Sequence, residues 1–209
     1  MPNLLPLSIG SQRLEGELCL VGPPRGIVVF AHGSGSSRRS RRNMQVAEVL
    51  QRRGLSTLLF DLLTDEEAKQ RANVFDIPLL AQRVMDALDA LSSYGPQPIG
   101  LFGASTGAGA ALAAAARRPE AVQAVVSRGG RPDLAGEALG AVLAPTLLIV
   151  GGADTEVLAL NRAALEQLRC PKRLEIVPRA THLFEEAGAL DVVSALASAW
   201  FVEHLRPDA

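Results

Sequence analysis

The sequence predicts an α/β fold in which helices cover both faces of a doubly wound, mostly parallel sheet. Short apolar runs, typical of strands buried on both faces, alternate along the chain with longer segments of helical periodicity. This alternation is typical of β-α-β units, whose connections are right-handed. The 209 residues contain no internal repeat and no change of composition, so we expect a single domain spanning residues 1–209.

Seven runs are predicted as strands. The run RLEGELCLV at 13–21 alternates polar and apolar residues, as a half-buried antiparallel strand does. Six later runs are almost continuously apolar and are predicted as parallel strands: GIVVFAHG, LSTLLFD, PIGLFG, AVVSRGG, TLLIVGG and RLEIVP. The first of these six, residues 26–33, is expected near the middle of the sheet.

Four segments are predicted as helices. RNMQVAEVLQRRG at 42–54 has apolar residues at helical spacing and ends on a glycine stop. PLLAQRVMDALDALSSYG at 78–95 repeats that spacing, and an alanine-rich helix is predicted at 108–117. An amphipathic helix at 188–205 follows the last strand. Only residues 128–145 separate the AVVS and TLLIV strands, which is too short for a helical lid. We therefore expect no cap domain and an open, shallow site.

Composition excludes several classes of protein. A net charge of -1 gives no general attraction to nucleic acid or to an anionic membrane. The first ten residues lack the basic start of a signal peptide, and no apolar run approaches a membrane span. Cys19 and Cys170 match no metal or redox spacing, so we expect free thiols and a cytoplasmic protein. The three histidines are scattered, so neither a metal nor a cofactor is predicted.

The stretch GLFGASTGAG predicts a nucleophile at Ser105. It has the pattern G-x-S-x-G, follows the PIGLF strand and begins the alanine-rich helix. Such a turn needs small flanking residues and exposes its serine hydroxyl above the sheet. The helix that follows directs its amino-terminal end at the serine, where it favours developing negative charge. A serine in a glycine-rich helix start is the alternative reading of the stretch alone.

Asp154 and His182 each follow a later strand, at the same edge of the sheet. Taken singly, an aspartate after two glycines is often a turn residue, and a lone histidine is often structural. Together they complete the order Ser, Asp, His of a catalytic triad. A serine hydroxyl needs a base to take its proton, and imidazole, with an ordinary pKa of about 6.5, suits that task. Asp154 would then orient the ring.

Two backbone N–H groups are predicted as an oxyanion hole. One belongs to Thr106, the residue after the predicted nucleophile, and the other to Ser34, in the HGSG turn after the central strand. A glycine-rich turn without a donor role is the alternative for Ser34. His32 is expected to shape this turn through hydrogen bonds and not to act as the general base.

The sequence resembles the α/β hydrolases, and among them the dienelactone-hydrolase-related group. The resemblance runs from GIVVFAHGSGSS through PIGLFGASTGAGAAL and PTLLIVGGADTEV to ATHLFEE, which is most of the chain. It implies the α/β-hydrolase fold, with Ser105, Asp154 and His182 as nucleophile, acid and base, and with Ser34 and Thr106 lining the oxyanion hole. Dienelactone hydrolases proper use a cysteine nucleophile, and this chain departs from them at that position. HGSGSSRRSRRN and VVSRGGRPDL also resemble small bacterial hydrolases, some of them joined to a phosphoribosyltransferase domain.

Several arginines are expected at the same edge of the sheet. Arg38 follows the predicted oxyanion turn, and Arg128 and Arg131 lie in SRGGRPD after a strand. Arginine binds carboxylates and phosphates bidentately, so these three are candidate substrate-binding residues, Arg128 first. A solvated basic surface paired with Asp65, Glu66 and Glu67 is the alternative.

The sequence therefore predicts a serine hydrolase that cleaves small ester or lactone substrates, some of them anionic, through an acyl-enzyme. A transacylase or perhydrolase on the same triad is an alternative, because the sequence does not show which molecule accepts the acyl group. A ligand-binding module that has lost its activity is another. A nucleic-acid partner is disfavoured, because the SRRSRRN run has no interleaved aromatic residues. The expected partner is a small molecule, and monomer and homodimer both remain open.

Overall fold

An eight-stranded sheet forms the centre of the protein. The computed structural model describes residues 3–22 and 25–206. Its strands, in chain order, are β1 Asn3–Ile9, β2 Leu14–Leu20, β3 Ile27–Ala31, β4 Ser56–Phe60, β5 Ile99–Ala104, β6 Ala124–Arg128, β7 Thr146–Gly151 and β8 Lys172–Val177. They lie side by side in the order β1-β2-β4-β3-β5-β6-β7-β8. All seven predicted strands are present, and β3 lies in the interior of the sheet.

The sheet is mostly parallel, as predicted. Strands β3 to β8 are parallel to one another, whereas β2 pairs antiparallel with both β1 and β4. Strand β1 was not predicted from the sequence. Its residues are mostly exposed, and Pro6 lies within it. An edge strand tolerates proline because one side of its ladder needs no N–H donor. Its exposure and the proline interrupt the apolar run that identifies the other strands.

Helices cover both faces of the sheet. They are α1 Arg41–Arg52, α2 Asp65–Ala68, α3 Arg71–Val74, α4 Ile77–Leu91, α5 Thr106–Arg117, α6 Thr155–Gln167 and α7 Ala189–His204. On one face, residues of α4 and α5 pack with β3 and β5, for example Leu80 and Leu112 with Leu101. On the other face, residues of α1 and α7 do so, for example Val46 and Phe201 with Phe102. The four predicted helices are present, and α6 lies in a segment left unassigned by sequence.

Within residues 3–22 and 25–206, no cap domain covers the carboxyl edge of the sheet. Between β6 and β7 the chain forms a short stretch of 3-10 helix, Pro132–Ala141, as expected for a protein without a cap domain. Cys19 and Cys170 are both buried and unpaired. Within the described ranges, no helix has the length and apolar character that a membrane crossing requires. The cytoplasmic location stays a prediction.

Candidate active site

Ser105 lies on a strained turn between β5 and α5. Its backbone angles, φ 51° and ψ −124°, belong to a region that residues with a side chain rarely adopt. A Cβ atom on Gly107 would collide with the carbonyl oxygens of Ala31 and His32, and one on Gly103 would collide with Ala108. Only glycine therefore fits at these two positions. The tight turn leaves Ser105 partly exposed at the start of α5.

Residues at and just after the end of β6 form hydrogen bonds with both the backbone N–H and the carbonyl of Ser105. The Ser105 N–H donates to the carbonyl oxygen of Arg128 at 3.3 Å, and the Arg131 N–H donates to that of Ser105 at 3.0 Å. Asn161, a buried residue of α6, donates from Nδ2 to the Gly130 carbonyl at 2.9 Å. Sequence reasoning missed Asn161, because a single asparagine inside a helix belongs to no motif.

Asp154 and His182 are in direct contact. Asp154 follows β7 and is the N-cap residue of α6, and its Oδ2 lies 2.7 Å from His182 Nδ1. If Nδ1 donates to the carboxylate, Nε2 is left free to accept a proton. The loop that carries His182 is held by Glu186, whose Oε1 accepts from the Thr181 N–H and hydroxyl at 3.0 and 2.7 Å. These hydrogen bonds lower the pKa of Glu186.

Gly129 lies against His182, and Arg128, the residue before it, is hydrogen-bonded to Ser105. A Cβ atom on Gly129 would lie 3.0 Å from the carbonyl oxygen of His182 and 3.7 Å from its Nδ1, and the Gly129 φ of 50° also favours glycine. The three residues predicted as a triad follow the parallel strands β5, β7 and β8 and so lie at the same edge of the sheet, and their catalytic roles stay a prediction. In the described ranges, no hydrogen bond joins Ser105 Oγ to His182. Such contacts are often long in enzymes without substrate and shorten when substrate binds.

Ser34 and Thr106 both line a cleft of about 650 Å³. The turn that carries Ser34 passes close to the nucleophile turn, since a Cβ atom on Gly33 would lie 3.0 Å from Ser105 Cβ. Thr106 is the first residue of α5, where N–H groups have no partner within the helix. Among the described hydrogen bonds, neither residue's N–H has an acceptor. Their predicted role as an oxyanion hole stays a prediction.

His32 ties the Ser34 turn to the end of β4. Its Nδ1 donates to the Gly33 carbonyl at 2.9 Å, and its Nε2 accepts from the Leu62 N–H at 3.0 Å. These two roles require a neutral ring with the proton on Nδ1. Burial lowers the pKa of His32, which keeps the ring neutral.

Arg38, on the cleft wall, is paired with carboxylates of its own chain. Its guanidinium contacts Asp61 and Glu15 and lies 3.8 Å from Glu17. Its backbone N–H also donates to Asp61 Oδ1 at 2.7 Å. The Arg38 side chain is only 11% exposed. These contacts fix the segment that follows the Ser34 turn.

Arg131 is paired as well. Its guanidinium donates from Nε and Nη2 to the two carboxylate oxygens of Asp133, at 2.9 and 2.8 Å. These hydrogen bonds raise the pKa of Arg131. The partners of Arg38 and Arg131 therefore differ from Asp65, Glu66 and Glu67, the acidic residues that the sequence suggested. Substrate binding by Arg38 or Arg131 stays a prediction.

Arg128 is buried without a carboxylate partner. The residue is 8% exposed, and its one side-chain hydrogen bond runs from Nη2 to Asn43 Oδ1 at 3.4 Å. Its Nε is buried and unpartnered, and no carboxylate of the described ranges lies within ion-pair distance. Burial, together with the nearby charge of Arg42, lowers the pKa of Arg128 to about 10. Arg42 itself pairs with Glu185 at 3.3 Å.

Comparison with known proteins identifies the fold and the family. The family described as "alpha/beta hydrolase fold" matches residues 26–144. A crystal structure of dienelactone hydrolase from Anabaena variabilis is 58% identical, with a TM-score of 0.93 and coverage of 99% of each chain. The esterase domain of a Rhodothermus marinus protein has a TM-score of 0.78 over 98% of this chain and 99% of its own. At 20% identity it shares the fold alone.

Curated relatives from Mycobacterium tuberculosis are longer. Over 199 residues they are 59% identical, and they bear the name phosphoribosyl transferase as a provisional assignment. The match covers 94% of this chain and 45% of each relative, so the chain spans less than half of their length. From the matched family, and from the 58% identity to dienelactone hydrolase over nearly the whole chain, it follows that this protein belongs to the α/β hydrolase family.

Proposed function

We propose that this hydrolase cleaves small ester or lactone substrates through an acyl-enzyme on Ser105. The observation that carries the proposal is the 2.7 Å contact between Asp154 and His182, next to a serine on a strained turn. A carboxylate that orients an imidazole beside an exposed serine is the arrangement that activates a hydroxyl for attack. The 58% identity to a protein described as dienelactone hydrolase supports ester or lactone cleavage.

In the proposed mechanism, Ser105 Oγ attacks the substrate carbonyl while His182 Nε2 takes its proton. The carbonyl oxygen becomes an oxyanion, which accepts hydrogen bonds from the Ser34 and Thr106 N–H groups. When the bond between the carbonyl carbon and the leaving oxygen breaks, His182 donates the proton to that oxygen. Water, activated by His182, then hydrolyses the acyl-enzyme and releases the acid.

The proposal also includes an anionic group on the substrate, recognised by Arg128. Arg128 is the buried arginine without a carboxylate among the described residues, whereas Arg38, Arg83 and Arg131 each have one. An uncompensated buried cation is unfavourable unless something else pairs with it. Its backbone carbonyl accepts from the Ser105 N–H, so Arg128 adjoins the turn that carries the proposed nucleophile.

Labelling with a fluorophosphonate tests the proposed nucleophile. We expect one label per chain on Ser105, located by mass spectrometry, and none in Ser105→Ala. Ser93→Ala is a matched control, because Ser93 is an exposed serine whose hydroxyl bonds only to the Ala90 carbonyl. Asp154→Ala should slow labelling by about 100-fold or more, because His182 loses its orienting partner. Absence of label on Ser105 in the folded protein would contradict the proposal and favour a binding module.

A further inference from the structure

The two sides of Ser105 offer different chemistry to a substrate. On one side lies the 650 Å³ cleft that contains Ser34 and Thr106. Three buried leucines, Leu14, Leu62 and Leu80, are among its lining residues. Arg38 also lines it, and its charge is balanced by Asp61 and Glu15. This side is therefore lined by polar as well as apolar side chains, and the buried charge of Arg38 on it is compensated.

The other side contains His182 and Arg128. Gly129, the residue after Arg128, is in contact range of His182, and Phe184 also lies against it. The Arg128 side chain extends to Asn43 in the first turn of α1, a turn that contains no acidic residue. Glu185 of the His182 loop is engaged by Arg42. One buried positive charge on this side is thus left without a counter-charge.

The mechanism assigns the two halves of an ester to these two sides. The oxyanion must meet the N–H groups of Ser34 and Thr106, which line the cleft, so the acyl group lies next to the cleft. The leaving oxygen must receive its proton from His182, so the alcohol half lies on the His182 side. Arg128 belongs to that second side.

We propose that the anionic group of the substrate is a carboxylate or phosphate on the leaving half, paired with Arg128, and that the acyl half is small and uncharged. The inference rests on the proposed function. Its kinetic consequence for an ester is specific: the anion departs with the alcohol, so Arg128 acts during acylation and has no charge partner during deacylation. An anion on the acyl half would instead remain on the enzyme through both steps.

Three aryl esters distinguish these cases. Phenyl acetate is uncharged, meta-acetoxybenzoate carries its charge on the leaving half, and monophenyl succinate carries its charge on the acyl half. We expect Arg128→Met to lower kcat/KM for meta-acetoxybenzoate by about 10- to 100-fold, as for other buried charge pairs. For the other two esters the change should stay below about 3-fold. The ratio of variant to wild type cancels the intrinsic reactivity of each ester.

Two further variants complete the experiment. Arg118→Met removes the same charge from the amino edge of the sheet, where Arg118 pairs with Asp89 and Glu120. It should not lower kcat/KM selectively for any of the three esters, so it controls for the change in net charge. Arg128→Lys keeps the charge and should recover part of the lost activity on meta-acetoxybenzoate.

The possible outcomes distinguish a failure of the Arg128 inference from a failure of the proposed function. An equal loss on all three esters would overturn the role of Arg128, and a selective loss on monophenyl succinate would overturn the assignment to the leaving half. If wild type hydrolyses none of them and takes no fluorophosphonate label, the proposed function fails, and this inference fails with it. Should Arg128→Met not fold, calorimetry on wild type decides: meta-hydroxybenzoate should bind at least about tenfold more tightly than phenol, and equal binding overturns the inference.

Discussion

Arg38 and Arg128 lie at the same edge of the sheet and are both almost inaccessible, yet their surroundings are opposite. The Arg38 side chain is 11% exposed and contacts Asp61 and Glu15. Arg128 is 8% exposed and contacts the neutral amide of Asn43 at 3.4 Å. A buried charge is stable when hydrogen-bonded carboxylates replace its water, and unfavourable when they do not.

The difference indicates different tasks. Arg38 and Asp61 join the end of β4 to the segment after the Ser34 turn through a side-chain pair and a backbone hydrogen bond. They stabilise the scaffold of the oxyanion hole. Arg128 forms no comparable bond, and its unpartnered Nε can donate a hydrogen bond to a ligand. The following predictions test this contrast, from the largest expected effect to the smallest.

Removal of the Arg38 partner should cause the largest change. Asp61→Ala leaves Arg38 with two exposed glutamates and removes the acceptor of its backbone N–H. Since Asp61 is 18% exposed, we expect a loss of about 2–3 kcal/mol in the free energy of unfolding, somewhat below the value for a fully buried pair. Urea unfolding followed by circular dichroism measures it.

Asp89→Ala is the matched control for that variant. Asp89 is 61% exposed and pairs with Arg118 on the surface, so its removal should change the free energy of unfolding by less than about 1 kcal/mol. Equal losses in the two variants would remove the distinction between a scaffold pair and a surface pair.

Removal of Arg128 should have the opposite sign. Arg128→Met replaces an uncompensated buried cation by an apolar side chain of similar volume, so the free energy of unfolding should stay equal or rise by about 1 kcal/mol. The same urea experiment measures this change. A loss of 2 kcal/mol or more, on the order of a broken buried pair, would make Arg128 a scaffold residue like Arg38.

The smallest effect is a pH dependence of the Ser34 turn. Burial lowers the pKa of His32 in the folded protein. Below about pH 6.5, His32 therefore binds a proton more readily in the unfolded chain than in the folded one. The contribution of His32 to stability is therefore fully present above that pH and is lost as the pH falls. His32→Gln should flatten the slope of stability between about pH 7.5 and about pH 5.5.

His204 is the control for this slope, because burial lowers its pKa as well. Its effect on stability has the same sign, so His204→Gln should leave the part due to His32 in place. Urea unfolding at several pH values compares the three proteins. An unchanged slope in His32→Gln would mean that the hydrogen bonds of His32 to Gly33 and Leu62 do not depend on its neutral form.

The parts of the fold that were predictable are those whose pattern is local. Strands β3 to β7 are buried in a parallel sheet and read as apolar runs, the edge strand β8 is only partly buried, and β2 alternates as a half-covered strand does. The exposed edge strand β1 and helix α6 lacked a sufficient pattern. In α6 the buried residues include Asn161, whose partner Gly130 lies 31 positions away. Such a long-range contact produces no periodic pattern in the sequence.

Local sequence by itself determined the strand-helix alternation, the strained turn at Ser105 and the positions of Asp154 and His182 after strands. These follow from the spacing of apolar residues and from glycines that no other residue can replace. Tertiary structure alone decided that Arg38 has a carboxylate partner and that Arg128 has none among the described residues. Arg38 finds Asp61, 23 positions on, and Arg128 reaches Asn43, 85 positions back. Charge compensation depends on distances of a few ångström between segments remote in sequence, and only the folded chain sets them.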